Sequence, residues 1–150
     1  MATVSTETGG GANPRNLPTV AGHVPAPDRF QADPSVRRVA ATTVNALIIG
    51  DDAEIVRVLN VVWPTLRKPV VHCEGRRLIL PVGREGTLVI RNAHQLVDQD
   101  QQRLLEWSDT NAPRARMIAC ASTQLFTLVE NGTFSRCLFD RLKDVQLMLT

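Results

Sequence analysis

The stretch Ile49-Gly50-Asp51-Asp52-Ala53-Glu54 places three carboxylates in a turn directly after an apolar run. A helix beginning there would present its unpaired N–H groups and the positive end of its dipole, a natural site for an anion. Asp51, Asp52 and Glu54 occupy that position themselves, and the turn holds no lysine. A phosphate would meet like charge without a cradle of backbone amides. The chemistry expected of Gly50, Asp51, Asp52 and Glu54 is therefore helix capping, with Asp51 as N-cap and Glu54 reaching back as a capping box.

Other reactive side chains are less well disposed. His72-Cys73-Glu74 sets three capable groups in a row, but neighbours on a strand point to opposite faces and do not converge on one ion. His94 reads as a polar cap in a loop. Cys73, Cys120 and Cys137 are odd in number and lack CxxC spacing, which argues against a disulfide framework or a zinc site. They are expected as buried free thiols, and no metal or cofactor is expected.

The elements that must position these groups follow from periodicity. Val44 to Ile49 is a buried strand and Gly50-Asp51-Asp52 a turn; the next helix buries Ile55, Val56, Leu59, Val62 and Trp63 on one face and ends at Pro64. Val70 to Cys73 and Leu78 to Leu80 read as two short strands of a hairpin turning at Glu74-Gly75. Thr87 to Ile90 is a strand, followed by a helix opened by Asp98 whose face carries Val97, Leu104, Leu105 and Ser108. Met117 to Ala121 is another strand. Residues 123–131 and 134–142 are helical, separated at Asn131-Gly132, where glycine suits a left-handed C-cap. Val145 to Leu149 is a final strand. Strands alternating with helices predict a three-layer α/β fold, a largely parallel sheet with helices on both faces.

Residues 1–38 differ in composition, with Gly9-Gly10-Gly11 and five prolines (Pro14, Pro18, Pro25, Pro27, Pro34). They are read as a flexible tail before one domain at 39–150. The chain has 150 residues, 43% of them hydrophobic, enough for one globular core. Lys and Arg total 17 against 15 Asp and Glu, a net charge of +2, which supplies no general reason to bind nucleic acid or an anionic membrane. There is no apolar run of about 18 residues and no signal-peptide pattern at the N-terminus, so a cytoplasmic location is expected.

Three stretches carry a family resemblance. Gly86-Thr87-Leu88-Val89-Ile90, continuing through Leu96, Asp100, Gln101, Arg103, Leu104 and Leu105, resembles the Walker B strand and following helix of the AAA+ ATPase domain of sigma-54-dependent transcription activators. Arg116 to Ser122 resembles that family's sensor I strand, with Ser122 at the sensor position. Gly132-Thr133-Phe134 with Leu138-Phe139-Asp140-Arg141-Leu142 is similar to its arginine-finger helix. The resemblance implies a truncated P-loop NTPase-like core without the helical lid.

It also implies lost chemistry. The phosphate-binding loop of the family is matched by Gly50, Asp51, Asp52 and Glu54. Arg91 and Asn92 stand where the family carries the Asp-Glu pair for magnesium and water, and neither replaces a carboxylate in that role. Ser135 stands at the first finger arginine, with Arg136 one place displaced, while Arg141 matches the second. The long inserted segment through which the family touches sigma-54 is not matched between Cys73 and Gly86. The resemblance thus implies a non-enzymatic pseudo-ATPase, an interaction module in transcription regulation whose partner is a regulator or an AAA+ relative. Two other readings stand beside it. One is a response-regulator receiver, suggested by Leu47 to Ile55; the other is a nucleotide-binding AAA+ fragment.

Overall fold

Five strands whose side chains alternate between two faces assemble into one sheet. The computed structural model describes residues 29–83, 85–112 and 114–149. The strands are β1 (Ala46–Ile49), β2 (Val70–Glu74), β3 (Gly86–Arg91), β4 (Ala115–Ala121) and β5 (Val145–Met148). All pair in parallel, in the order β2-β3-β4-β1-β5. Every residue of β1 is buried because β1 lies inside the sheet, between β4 and β5. A strand covered on both faces is apolar throughout, which is why ALII reads as a continuous run.

The helices are α1 (Arg29–Ala32), α2 (Pro34–Ala41), α3 (Asp52–Val62), α4 (Asp98–Asn111), α5 (Leu125–Glu130) and α6 (Arg136–Leu142). Period-2 alternation sorts the strand side chains between them. Leu47, Ile49, Leu88, Ile90, Met117 and Ala119 face Leu104, Leu125, Leu138 and Leu142 of α4, α5 and α6. Ala46, Ile48, Val89, Ile118, Cys120 and Leu147 face Val36, Val39, Ile55, Val58 and Leu59 of α2 and α3. The three-layer parallel fold expected from the sequence is the fold observed.

The strand order also separates two families of parallel α/β proteins. A flavodoxin-like receiver has the order 2-1-3-4-5, with its first strand between the second and third. Here β1 lies between β4 and β5, so the receiver reading is set aside.

Several local expectations are corrected. The hairpin at 70–80 does not form: β2 is an edge strand paired only with β3, and antiparallel contact is limited to one bridge, Glu74 to Arg77. Leu78 is instead buried in the core with Leu80 packed against it, where burial outweighs a short extension of an exposed edge. Val44 is exposed and precedes β1, Val97 is 60% exposed, and Val56 and Trp63 are only half-buried, whereas Val58 is fully buried. Cys137 is exposed on α6, unlike the buried Cys73 and Cys120. Gly132 does take the left-handed conformation, φ 79°.

The tail boundary moves as well. Asp33 caps α2 by accepting from the Ser35 N–H at 2.8 Å, Pro34 sits in its first turn, and Phe30, Val36 and Val39 are buried against α3. Residues 29–38 therefore belong to the folded unit; the rest of the expected tail, 1–28, lies outside the described residues. Proline at a helix N-terminus is compatible with the missing N–H, so proline content misplaced the boundary.

Arg116 holds this helix to the sheet. It is 7% exposed, and its Nε and Nη2 donate to the carbonyls of Val44 at 2.5 Å and Val39 at 2.8 Å. The guanidinium thereby meets the carbonyl end of α2, where the helix dipole favours positive charge. Replacing it by methionine, Arg116→Met, keeps much of the stem but leaves two carbonyls without their donor. The expected loss is about 1–3 kcal/mol of unfolding free energy, measured as a lower urea midpoint with an unchanged m-value.

Candidate functional site

Because every strand runs the same way, the C-terminal ends of β1, β2, β3 and β4 share one edge. From β1 the chain enters Gly50-Asp51 and α3; β2 ends in Glu74, β3 in Arg91, and β4 leads to Ser122. Asp52 and Arg91 come from strands on either side of β4 and meet above it, where Arg91 Nη2 donates to Asp52 Oδ1 in a salt bridge. Arg91 is 18% exposed and Asp52 64%. The cation is thus largely withdrawn from water and its carboxylate partner is not. Below the pair lies Cys120, fully enclosed, whose thiol is pushed up to about 12 by burial, while Arg91 draws it down and Asp52 raises it. Such a thiol stays protonated and inert.

The neighbouring backbone is held equally firmly. Asn92 adopts a left-handed conformation, φ 55°, which asparagine tolerates better than most side chains. Its Nδ2 donates to Glu74 Oε1 at 2.8 Å, and the Gly75 N–H donates to the Arg91 carbonyl at 2.7 Å. A Cβ on Gly75 would lie 2.1 Å from the Asn92 carbonyl oxygen, so only glycine fits that crossing. Glu74 and Asn92 therefore form a second pair beside Asp52 and Arg91.

Asp51 is at the N-cap of α3, but its side chain makes no cap hydrogen bond. The expected side-chain cap is thus replaced: the turn is closed by the Asp51 carbonyl, which accepts from the Ile55 N–H at 2.9 Å, and the carboxylate remains exposed. Glu54 is half-buried in the first turn. His94 lies in a 3₁₀ turn, Ala93–Gln95, rather than capping a loop; its Nδ1 is buried without a hydrogen-bond partner among the described residues. Burial lowers its pKa. His72 stands edge-on to Trp63 at 5.9 Å, and its pKa is lowered by burial, then by Arg91, against the opposing effect of Glu74.

Among the described residues, none of the remaining candidates is hydrogen-bonded to the Asp52–Arg91 or Glu74–Asn92 pair. Ser122 is exposed just beyond β4. Ser135 caps α6, its Oγ accepting from the Leu138 N–H at 3.2 Å. Arg136 is exposed at the start of α6. Arg141 makes a salt bridge to Asp109 of α4, and its carbonyl accepts from Asn45 Nδ2 at 3.0 Å, at the opposite edge of the sheet. Gln101, quoted above only as part of a resemblance, organises this region. Buried on α4, it donates to the carbonyls of Leu96 and Thr133 and accepts from the Ser135 N–H. Its position at i, with Leu104 at i+3 and Ser108 at i+7, was the available signal of burial. Among the described residues, no three His, Cys, Asp or Glu side chains are grouped to hold a metal ion.

Comparison with known proteins agrees with this fold. The sigma-54 interaction domain model matches residues 65–150, more than half of the chain and beginning downstream of Gly50–Glu54. The fold is similar to Brucella abortus NtrX, solved in complex with ATP, with a TM-score of 0.65 at 18% identity. That match covers 85% of this chain and 37% of NtrX, so the chain spans little more than a third of that relative. It is also similar to the P-loop NTPase domain of the sigma-54 transport activator from E. coli, with a TM-score of 0.57, 16% identity, and coverage of 75% and 87%. No curated protein matches the chain.

Two consequences are measurable. Removing Asp52 and Arg91 singly and together, as Asp52→Asn and Arg91→Gln, is expected to give a coupling energy of about 0.5–1 kcal/mol in denaturant unfolding, modest because the acid is exposed. The histidines give a pH signature. His72 and His94 bind protons less readily when folded than their ordinary value of 6.5 implies, so the unfolded state binds more protons below that value. The stability these two histidines contribute is present above about pH 6.5 and is lost as pH falls from there through their lower folded values. Replacing both with phenylalanine should flatten the unfolding free energy between about pH 5 and 7.

Proposed function

We propose, for a chain that belongs to the sigma-54 interaction domain family, a non-catalytic role: a pseudo-ATPase that serves transcription regulation in the cytoplasm as a protein-interaction module. The observation that supports it is the Asp52–Arg91 ion pair. A site for a nucleotide and magnesium needs positive charge and free amides at the helix N-terminus, and carboxylate oxygen for the metal at the strand end. Here the polarity is reversed, with the acid at the start of α3 and the guanidinium at the end of β3. Arg91 offers no ligand for a hard cation, and its charge is already matched by Asp52. The residues at this edge do not fit magnesium-ATP.

The scaffold around the exchanged groups is kept. Ser135, at the first finger position of the family, caps α6, and Arg141 is engaged with Asp109; both serve to hold the helix in place. A domain with a retained sheet and a self-neutralised site is suited to packing against another regulator or an intact AAA+ relative. Calorimetric titration with magnesium-ATP is expected to give no binding heat up to millimolar nucleotide. Saturable binding in that range or tighter would sink the proposal and favour a nucleotide-binding AAA+ fragment.

A further inference from the structure

The opposite edge of the sheet gathers charge that the net value conceals. Arg67 and Lys68 lie just before β2, Glu85 just before β3 and Arg114 just before β4. These three strands are adjacent, and neighbouring strands lie about 4.8 Å apart. Contacts tie the segments together: Arg67 Nη1 donates to the Arg114 carbonyl at 3.1 Å, Thr87 Oγ1 to the Arg67 carbonyl at 2.9 Å, and the Gly86 N–H to the Arg114 carbonyl at 3.3 Å. Arg67, Lys68 and Arg114 are all exposed, and none of them has a carboxylate partner among the described residues. Glu85 is the one acid between them.

Of the acids elsewhere on this edge, Asp144 stands just before β5, separated from β4 by β1, and two others are paired. Asp109 is held by Arg141, and Asp140 by Lys143. Of the exposed large apolar side chains, Val44 stands at this edge before β1, while Ile79, Val82, Val97, Phe126 and Met148 belong to other segments. A protein partner is normally received on an apolar centre with a polar rim. A phosphate backbone asks instead for exposed guanidinium and ammonium groups on long stems.

We infer that the N-terminal edge of the sheet, through Arg67, Lys68 and Arg114, contacts the phosphate backbone of nucleic acid without reading its sequence. The inference is independent of the pseudo-ATPase reading, since the two edges are opposite ends of the sheet. Three contacts release about three counterions, so affinity should fall with salt on a log–log slope of about −3.

The test is fluorescence anisotropy of a labelled random-sequence DNA duplex with the 150-residue chain. The unmodified chain is expected to bind at low salt with that slope. Reversing the three charges, Arg67→Glu, Lys68→Glu and Arg114→Glu together, should abolish binding, while Arg76→Glu with Arg77→Glu should leave it within about twofold of the starting value. Lys68 makes no side-chain hydrogen bond to another described residue, so Lys68→Gln is the variant that keeps the fold; it should reduce the slope by about 1. Absence of binding at low salt overturns the inference, as does a folded triple variant that binds like the unmodified chain. Equal loss in the Arg76/Arg77 variant overturns it too. Tighter binding of polyglutamate than of DNA at equal charge would assign the edge to an acidic protein and equally overturn it.

Discussion

A parallel sheet buried on both faces constrains everything else in this molecule. Parallel strands cannot be joined by tight turns, so each connection crosses the sheet and every strand begins at one edge and ends at the other. Groups far apart in sequence are thereby collected according to which end of a strand they follow. Asp52, Glu74, Arg91 and Ser122 share one edge for this reason, and Arg67, Lys68 and Arg114 share the other. The apolar alternation that buries Leu47 and Ile49 on one face, and Ala46 and Ile48 on the other, is what makes the arrangement rigid.

Within that frame the C-terminal edge is a place where charge has been turned inward. The Asp52–Arg91 pair lies over the enclosed Cys120, and the Glu74–Asn92 hydrogen bond lies beside it, with Gly75 passing too close to Asn92 for any side chain. Two side-chain pairs joining three strand ends stabilise the edge as structure. The exposed side of Asp52 limits the strength of its pair, because solvent screens it. Geometry, more than energy, is what the pair contributes.

The other edge uses positive charge in two ways. Arg116 is buried and spends its guanidinium on the Val39 and Val44 carbonyls, fastening α2 across the sheet. Arg67, Lys68 and Arg114 remain in water. Asn45 joins the same edge together by donating to the Arg141 carbonyl and accepting from the Met117 N–H at 2.8 Å. A near-neutral chain can thus carry a locally basic surface.

Sequence alone determined the parts governed by local periodicity and residue chemistry. The apolar runs at Ala46–Ile49 and Gly86–Arg91, the helix after Asp51, the left-handed Gly132 and the three-layer fold class follow from side-chain spacing, because periods of 2 and 3.6 are properties of neighbouring residues. The unusual residues Asp52 and Arg91 were legible too, but as separate anomalies. Only tertiary structure decided that they pair, that Glu74 joins Asn92, that Leu78 enters the core instead of a hairpin, and that Arg29–Ala41 folds onto α3. Those outcomes depend on the strand order and on which surfaces remain to be covered once the sheet is built. Neither quantity is local, and no spacing within one segment encodes it.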